Sequence, residues 1–356
     1  MMTRPTLKDV ARRASVSVST VSYALNDDSH VHLAPETRAR VRRIAKELGY
    51  TPNAMARSLR TRSSRTAGVV LTKPLTNLRY AAIVQGIANG LATSGLRMTV
   101  LPDATAGVLE DCRNGMIDGL IFVGHDDAVP PPALVEAAAV GVAPLVTIDC
   151  GGRAADAPHS AVDFDYAHGA REMITHLAGR DIRTILHVRP EVSSRAERDR
   201  QATLMRALGH ADGVTMRVVS TGMSDEDLAR TDAEDGAIAR GYLASTLRSI
   251  TDALLGVDDP DTTAVLCSWG ADVETSLRAV SHVAPGTVVA ALAGSWPRTE
   301  IWPDLVYSRL PLEEAGRRAA ALLSSELAPD REHLSIVLPP ALDTRLPETP
   351  PGRTPA

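Results

Sequence analysis

The sequence is poor in the residues that build several common kinds of protein. Its 356 residues include three cysteines, Cys112, Cys150 and Cys267, and no two of them form a CxxC pair, which argues against a disulfide framework and a zinc knuckle. It contains no apolar run of about 18 residues and therefore predicts no membrane span. The N-terminus also lacks the apolar segment of a secretory signal. These absences predict a chain that works in the cytoplasm.

Motifs for catalysis and for phosphate binding are missing as well. Only three lysines are present, Lys8, Lys46 and Lys73, and none follows a glycine-rich loop that would hold nucleotide phosphates. HExxH and GxSxG are absent. Four histidines lie between positions 159 and 187, but His168 fits a helix start better than a set of metal ligands. We therefore expect neither an enzyme nor a metal or cofactor site.

The charges are divided unevenly along the chain. Residues 1–65 carry 13 lysines and arginines against 5 acidic residues, residues 66–356 carry 25 against 38, and the net charge of the whole chain is −5. A basic head on an acidic body is the distribution expected when one end of a protein meets a polyanion such as nucleic acid. Charge alone leaves open the alternative of a solvated pair of basic helices.

The first 50 residues predict three short helices. Thr6 and Asp9 form a capping pair at the start of the first helix, and Ser17 can cap the second. Pro35 suits the first turn of the third helix, which is expected to end at Gly49. Apolar residues at helical spacing predict a small shared core; they are Leu7, Val10, Ala11, Ala14, Val21, Ala24, Leu25, Val41, Ile44, Ala45 and Leu48.

The second of these helices has an unusual outward face. With its apolar residues turned to the core, it shows Val18, Ser19, Ser22 and Tyr23 to its surroundings. Two helices joined by a tight turn form a helix-turn-helix, whose second helix lies in the major groove of DNA. Short hydroxyl side chains can approach phosphates and bases closely, and Val18 can contact a thymine methyl group. The pattern predicts a DNA-binding head.

From residue 67 onward, short apolar runs alternate with helix-like stretches. Eight runs are typical of buried parallel strands, and they cover residues 67–72, 97–102, 119–124, 143–148, 183–188, 216–220, 263–268 and 287–293. This alternation predicts doubly wound α/β sheets in two lobes. Residues 51–66, between head and core, have too few apolar residues for a helix that is stable alone, and they predict a linker that becomes helical only when held.

Several motifs in the head carry a specific resemblance. They are TLKDVA at 6–11, VSVSTVSYALN at 16–26, SHV at 29–31, PETR at 35–38, LGY at 48–50 and PNA…ARSLR at 52–60. The series resembles the DNA-binding head of the LacI/GalR family. Residues 162–170 and 338–346 are similar, more loosely, to motifs in the family's core. The resemblance implies a two-lobed core like that of periplasmic binding proteins and a homodimeric repressor.

The resemblance also implies roles at a pseudo-palindromic DNA operator. Val18, Ser19 and Tyr23 would read bases. Ala56 and Leu59 would belong to a hinge helix that folds on the DNA, and Leu59 of each subunit would wedge into a base step and kink the duplex. Contacts with the DNA backbone are implied for Thr6, Ser17, Thr20, Ser22, Asn26, His30 and Asn53.

Two residues of the head depart from the family pattern. Tyr23 stands where members often have an arginine that reads guanine, and a tyrosine cannot form that bidentate fork. Ser15 stands where the turn usually has glycine, so we expect slight strain in the turn.

In the core, the resemblance implies an effector site in the cleft between the lobes. Asp165 and Arg200 match residues that commonly hold sugar hydroxyls, but Asp165 can instead cap a helix and Arg200 can instead pair with a neighbouring acid. Trp269 and Trp296 lie where the family usually has polar residues at strand ends. They either stack on a ligand less polar than a simple sugar or fill an interface between lobes.

The sequence leaves three functional alternatives beside an effector-controlled repressor. These are a DNA-binding regulator with a ligand-free core, a solute-binding protein, and an α/β enzyme with a fused head. Whether an effector releases or promotes DNA binding is also open. The expected domains are a head at 1–50, a hinge and linker at 51–66, a core at 67–346 and a flexible tail at 347–356. Within the core, the first lobe is expected at about 67–161 and 297–325, and the second at about 162–296 and 326–346.

Overall fold

The computed structural model describes residues 5–25, 31–50, 63–101, 106–125, 129–231, 236–292 and 305–344. The chain divides into two compact units, a helical head that contains residues 1–65 and an α/β core that begins at Thr66. Among the described helices, none is both long and apolar enough to cross a membrane.

The head contains the three helices that the sequence predicts. They are α1 (Leu7–Ala14), α2 (Val18–Ala24) and α3 (Pro35–Glu47). Val10, Val21 and Val41, one from each helix, are completely buried in the shared core. Burying these three side chains contributes about 1.5–3 kcal/mol each to folding, which is why helices this short hold together.

The turn between α1 and α2 confirms the expected strain at Ser15. Its φ is 51° and its ψ is 47°, a left-handed conformation that glycine adopts without cost and that costs other residues about 1–2 kcal/mol. The conformation ends α1, since the Ser15 amide donates to the carbonyls of Ala11 and Arg12. The tight turn of the helix-turn-helix is thus present without its usual glycine.

The core consists of two six-stranded sheets, each flanked by helices. In the first sheet all pairings are parallel, with the strands β11 (Ser335–Leu338), β5 (Ser160–Phe164), β4 (Leu145–Ile148), β3 (Gly119–Val123), β1 (Thr66–Leu71) and β2 (Arg97–Leu101) in that order. The second has the order β12 (Ala341–Asp343), β10 (Val306–Arg309), β9 (Val288–Ala291), β8 (Thr263–Cys267), β6 (Thr184–Glu191) and β7 (Thr215–Ser224), and only β12 runs antiparallel.

Helices follow most strands, as parallel connections require. They are α4 (Leu78–Thr93), α5 (Ala106–Arg113), α6 (Pro132–Ala139), α7 (Tyr166–Ala178), α8 (Arg195–Leu208), α9 (Asp225–Thr231), α10 (Gly236–Leu255), α11 (Val273–Val283) and α12 (Leu312–Glu326). All eight apolar runs of the sequence form strands, and the expected fold class, a helix-turn-helix head with a two-lobed α/β core, is confirmed.

The lobe boundaries differ from those expected. The first lobe extends through β5 to Phe164, because β5 pairs with both β4 and β11 and is buried along its length. The segment expected to return to the first lobe at 297–325 is divided, since β10 belongs to the second sheet and α12 packs on the first. The segment at 326–346 is divided in the same way, with β11 in the first sheet and β12 in the second. The chain therefore crosses between the lobes at three short connections, Asp165, 310–311 and 339–340.

Two glycines permit close packing around these crossings. A Cβ on Gly86 of α4 would lie 2.0 Å from the Glu313 carbonyl oxygen of α12, so the two helices touch backbone to backbone. A Cβ on Gly169 of α7 would lie 2.6 Å from Ser308 Oγ and 2.7 Å from Pro340 Cγ. Gly169 thus lets α7 approach β10 beside a crossing.

A buried carboxyl lies in the second lobe. Asp272 is completely buried in the short 3₁₀ turn Gly270–Asp272 after β8, and its Oδ1 accepts a hydrogen bond of 2.5 Å from the Tyr242 hydroxyl of α10. Its Oδ2 has no hydrogen-bond partner among the described residues. Burial raises the pKa of Asp272 to about 7, against the lowering effect of the Tyr242 hydrogen bond.

Candidate DNA-binding face and interlobe cleft

The outward face of α2 carries the side chains that the sequence predicts there. Val18 is 43% exposed and Ser19 is exposed, while Ser22 and Tyr23 are half-buried. The opposite side of the helix is closed, because Val21 and Ala24 have no exposed surface. A helix so arranged can present only short or flat side chains to a partner, which suits it to a groove of DNA.

Hydroxyl residues cap both helices of the motif, as predicted. The Thr6 amide donates to Asp9 Oδ2 at 2.9 Å and the Asp9 amide donates to Thr6 Oγ1 at 3.4 Å, which is a reciprocal capping box. Ser17 Oγ accepts the Thr20 amide at 3.0 Å and lies 2.8 Å from the Thr20 hydroxyl. The hydroxyls of Thr6, Ser17 and Thr20 therefore also fix the ends of the helices that would meet a phosphate backbone.

The start of α2 is suited to a phosphate group. Its first turn carries no acidic side chain, so the partial positive charge of its backbone amides is not compensated locally. Of the other residues assigned to DNA, Asn26, His30, Asn53, Ala56 and Leu59 lie outside the described residues.

In the core, a group of buried charges centred on Asp149 lies where the two lobes meet, the region called the interlobe cleft below. This residue follows β4 and is 1% exposed. Its carboxylate accepts hydrogen bonds from Arg79 Nη2 at 2.5 Å, from Arg195 Nη2 at 3.0 Å and from the Tyr166 hydroxyl at 3.0 Å. Arg79 belongs to α4 of the first lobe, and Arg195 is the first residue of α8 in the second lobe. The carboxylate of Asp149 therefore joins both lobes.

Asp163 of β5 is the second carboxylate of this group. It is 3% exposed, and its Oδ1 accepts the Gly151 amide at 3.2 Å and lies 3.4 Å from Arg195 Nη2. Burial raises the pKa of Asp163, whereas the nearby Arg195 lowers it.

The two polar residues expected in the effector site have structural partners. Asp165 is half-buried and caps α7, where its Oδ1 accepts the His168 amide at 2.8 Å. Arg200 is 4% exposed, and its Nη1 donates to Glu197 Oε1 at 3.1 Å. Its guanidinium also lies 4.7 Å from the centre of the Tyr166 ring. Both of the alternatives that the sequence left open, capping and ion pairing, are thus present in the structure.

Trp269 is half-buried at the carboxyl end of β8, and Trp296 lies outside the described residues. Beside Trp269, Ser268 Oγ lies 2.8 Å from His187 Nε2 of β6. Burial, assisted by Arg189 and Arg200, lowers the pKa of His187 to about 3, so this ring is neutral at physiological pH. Within the described residues no group of three histidine, cysteine or acidic side chains could hold a metal ion.

Sequence reasoning missed the residues at the centre of the cleft. Asp149 directly follows the apolar run at 143–148, which was a usable signal because the carboxyl ends of parallel strands line such a cleft. Arg79 and Arg195 gave no such signal, since each meets Asp149 only after about 70 and 46 residues of intervening chain have folded.

Comparisons with known proteins agree with this architecture. Residues 6–53 match the family model described as bacterial regulatory proteins, lacI family. Catabolite control protein A of Staphylococcus xylosus is 29% identical over 200 residues, which cover 54% of this chain and 58% of that protein. The corresponding protein of Staphylococcus aureus is 28% identical over 209 residues, 57% of this chain and 61% of that protein. The chain therefore matches about three fifths of the length of these relatives.

Solved structures share the fold over nearly the whole chain. The lac repressor dimer bound to operator and the anti-inducer ONPF has a TM-score of 0.70 and 20% identity, with 97% of this chain and 99% of that chain covered. The transcriptional regulator CelR in complex with cellobiose has a TM-score of 0.54 and 24% identity, with 96% and 99% covered. Residues 6–53 therefore match the lacI family of bacterial regulatory proteins, and the chain as a whole shares the fold of these solved structures.

Proposed function

We propose that the chain is a transcription regulator, most simply a repressor, that binds a pseudo-palindromic DNA operator as a homodimer. The observation that carries the proposal is the outward face of α2. Val18, Ser19, Ser22 and Tyr23 form this face, and the opposite side of the helix is buried. The basic charge of residues 1–65 supports it, because lysine and arginine side chains provide the affinity for phosphates that does not depend on sequence. The relatives named above are regulators, which supports the same assignment.

Within this proposal, each part of the head has a distinct task. Val18, Ser19 and Tyr23 read base edges, and the capped helix starts at Thr6 and Ser17 hold the DNA backbone. Thr20, Ser22, Asn26, His30 and Asn53 would add backbone contacts. Ala56 and Leu59 would enter the minor groove and kink the duplex.

The core would place DNA binding under the control of a small molecule in the cleft. Asp165, Arg200, Trp269 and Trp296 are the proposed effector residues. An effector acts only if it binds the open and closed arrangements of the lobes with different affinity. The sign of that difference decides whether the effector releases the operator or tightens its binding.

Fluorescence anisotropy with the DNA upstream of the protein's own gene tests the assignment. Wild type is expected to bind with a steep salt dependence, whereas Tyr23→Ala is expected to lose about tenfold or more in specific affinity and to keep its affinity for random duplex. Tyr23→Phe retains the ring and separates the hydroxyl contribution, and the exposed Arg318→Ala on α12 is the matched control outside the head. Binding with almost no salt dependence would show that the head is not a DNA-binding module.

The hinge proposal has its own measurement. Leu59→Ala is expected to reduce both operator affinity and the bend of the operator, because the apolar wedge that separates the base step is removed. The bend is read from energy transfer between dyes at the two ends of the duplex. An unchanged bend contradicts the wedge.

A further inference from the structure

A single guanidinium group of the second lobe is bound by acceptors of the first. Arg195 Nη2 lies 3.0 Å from Asp149 Oδ1 and 3.4 Å from Asp163 Oδ1, and its guanidinium carbon lies 5.3 Å from the centre of the Tyr166 ring. Its Nη1 is 3.9 Å from Asp199 of its own helix. Two carboxylates and an aromatic face are the surroundings that proteins use to recognise a planar cation.

These acceptors are buried and already shaped. Asp149 and Asp163 are 1% and 3% exposed, and Asp163 Oδ2 has no hydrogen-bond partner among the described residues. Asp149 also has a φ of 56°, a left-handed conformation that a residue other than glycine adopts only at a cost in free energy. The backbone is thus held in an unfavourable conformation at the residue that binds the cation.

The charges of the site balance only when Arg195 is present. Arg79 supplies one positive charge to Asp149, at 2.5 Å, and Arg195 supplies the second. The nearby Arg200 and Arg189 are directed to Glu197, at 3.1 and 3.7 Å. If Arg195 were removed, two buried carboxylates would share one cation, and a buried charge without a partner is strongly unfavourable.

We propose that Asp149, Asp163 and the Tyr166 ring form a guanidinium site. The chain's own Arg195 fills this site as a built-in ligand and so holds the two lobes together. The small molecules able to enter the site carry a guanidinium or amidinium group. The proposal rests on the proposed function in taking the cleft as the place where the core is controlled. A ligand of this class competes with Arg195 for the carboxylate oxygens of Asp149 and Asp163, and it thereby breaks the link that Arg195 makes between the two lobes.

Chemical rescue of the full-length chain tests the site. Arg195→Ala is expected to lower the Tm of the core by roughly 5 °C or more. Ethylguanidinium chloride at millimolar concentration is expected to restore much of that loss, while urea, a neutral molecule of the same shape, and ethylammonium, a compact cation without the planar fork, restore little. Arg198→Ala is the control on the same helix, because Arg198 is exposed and donates to the Ser193 carbonyl; it should show neither the loss nor the rescue.

Three results would overturn the proposal. They are an unchanged Tm in Arg195→Ala, equal rescue by urea or ethylammonium, and stabilisation of the variant by phosphate but not by ethylguanidinium, which would identify an anion site. Arg195→Gln, which fills more of the volume, is measured beside the alanine variant so that a poorly folded protein does not hide the answer. Operator binding by wild type is recorded separately. Selective rescue without operator binding supports the guanidinium site and refutes the proposed regulator. Operator binding without rescue supports the regulator and refutes the guanidinium site.

Discussion

Replacing Asp272 by asparagine should make the core more stable at alkaline pH and leave it nearly unchanged in acid. The carboxyl is completely buried, and its pKa is about 7 in the folded protein against an ordinary value of 3.8. Because the folded state holds the proton more tightly than the unfolded state, the stability contributed by that proton is complete below pH 3.8 and is lost as the pH rises through 7.

The size of the effect follows from the difference between the two pKa values. About three pH units at 1.36 kcal/mol each amount to roughly 4 kcal/mol for the whole range, and to about 3 kcal/mol between pH 4.5 and 8.5. Asparagine keeps an acceptor for the Tyr242 hydroxyl and carries no charge, so it avoids this loss. The advantage of Asp272→Asn over wild type should therefore grow by about that amount across the range.

Urea unfolding followed by circular dichroism, repeated at intervals from pH 4.5 to 8.5, measures the free energy of unfolding of both proteins. The difference between the two removes the contribution of all other titrating groups. Asp252→Asn, which removes an exposed carboxyl from α10, is the matched control and should run parallel to wild type. A difference between Asp272→Asn and wild type that does not vary with pH would refute the reasoning.

Other substitutions test separate parts of the structure. Ser15→Gly should stabilise the head by about 1 kcal/mol, because it relieves the left-handed conformation, and a rise in the Tm of the head checks it. Gly86→Ala should lower the Tm of the core by several degrees, since the added methyl group would lie 2.0 Å from the Glu313 carbonyl; an unchanged Tm would mean that the two helices separate without cost. Arg200→Ala should destabilise the core by about 3 kcal/mol in urea unfolding, because Glu197 then keeps only its longer contact with Arg189, and equal stability would show that this buried pair is neutral.

The sequence predicted those parts of the fold that depend on near neighbours. The capping pair of Thr6 and Asp9, the cap at Ser17 and the strained turn at Ser15 each involve residues within three or four positions, and all are present. The eight apolar strands were found for a similar reason, since each is a short, mainly apolar run in the sequence, although β2 and β7 are largely exposed or half-buried in the structure.

The rest depended on contacts that have no local signature. Strand β10 has only four residues and includes Ser308 and Arg309, so its place in the second sheet comes from pairing with β9 and β12. The expected lobe boundary at about 161 falls inside β5, which is buried along its whole length. The carboxylate of Asp163 is tolerated in this buried strand because Arg195 balances its charge. The centre of the cleft was therefore hidden until distant segments were brought together.

The three crossings between the lobes restrict how the core can move. Each crossing is only one or two residues long, and two of them contain proline, whose ring fixes φ near −65°. The third, Asp165, is pinned from both sides, since its amide donates to the Leu338 carbonyl and its carboxylate caps α7. Three connections this short allow one lobe to rotate against the other about a common axis. They do not allow the lobes to slide past each other or to bend independently. Opening of this core should therefore follow a single coordinate, and the distance between any residue pair that spans the cleft should report the same angle.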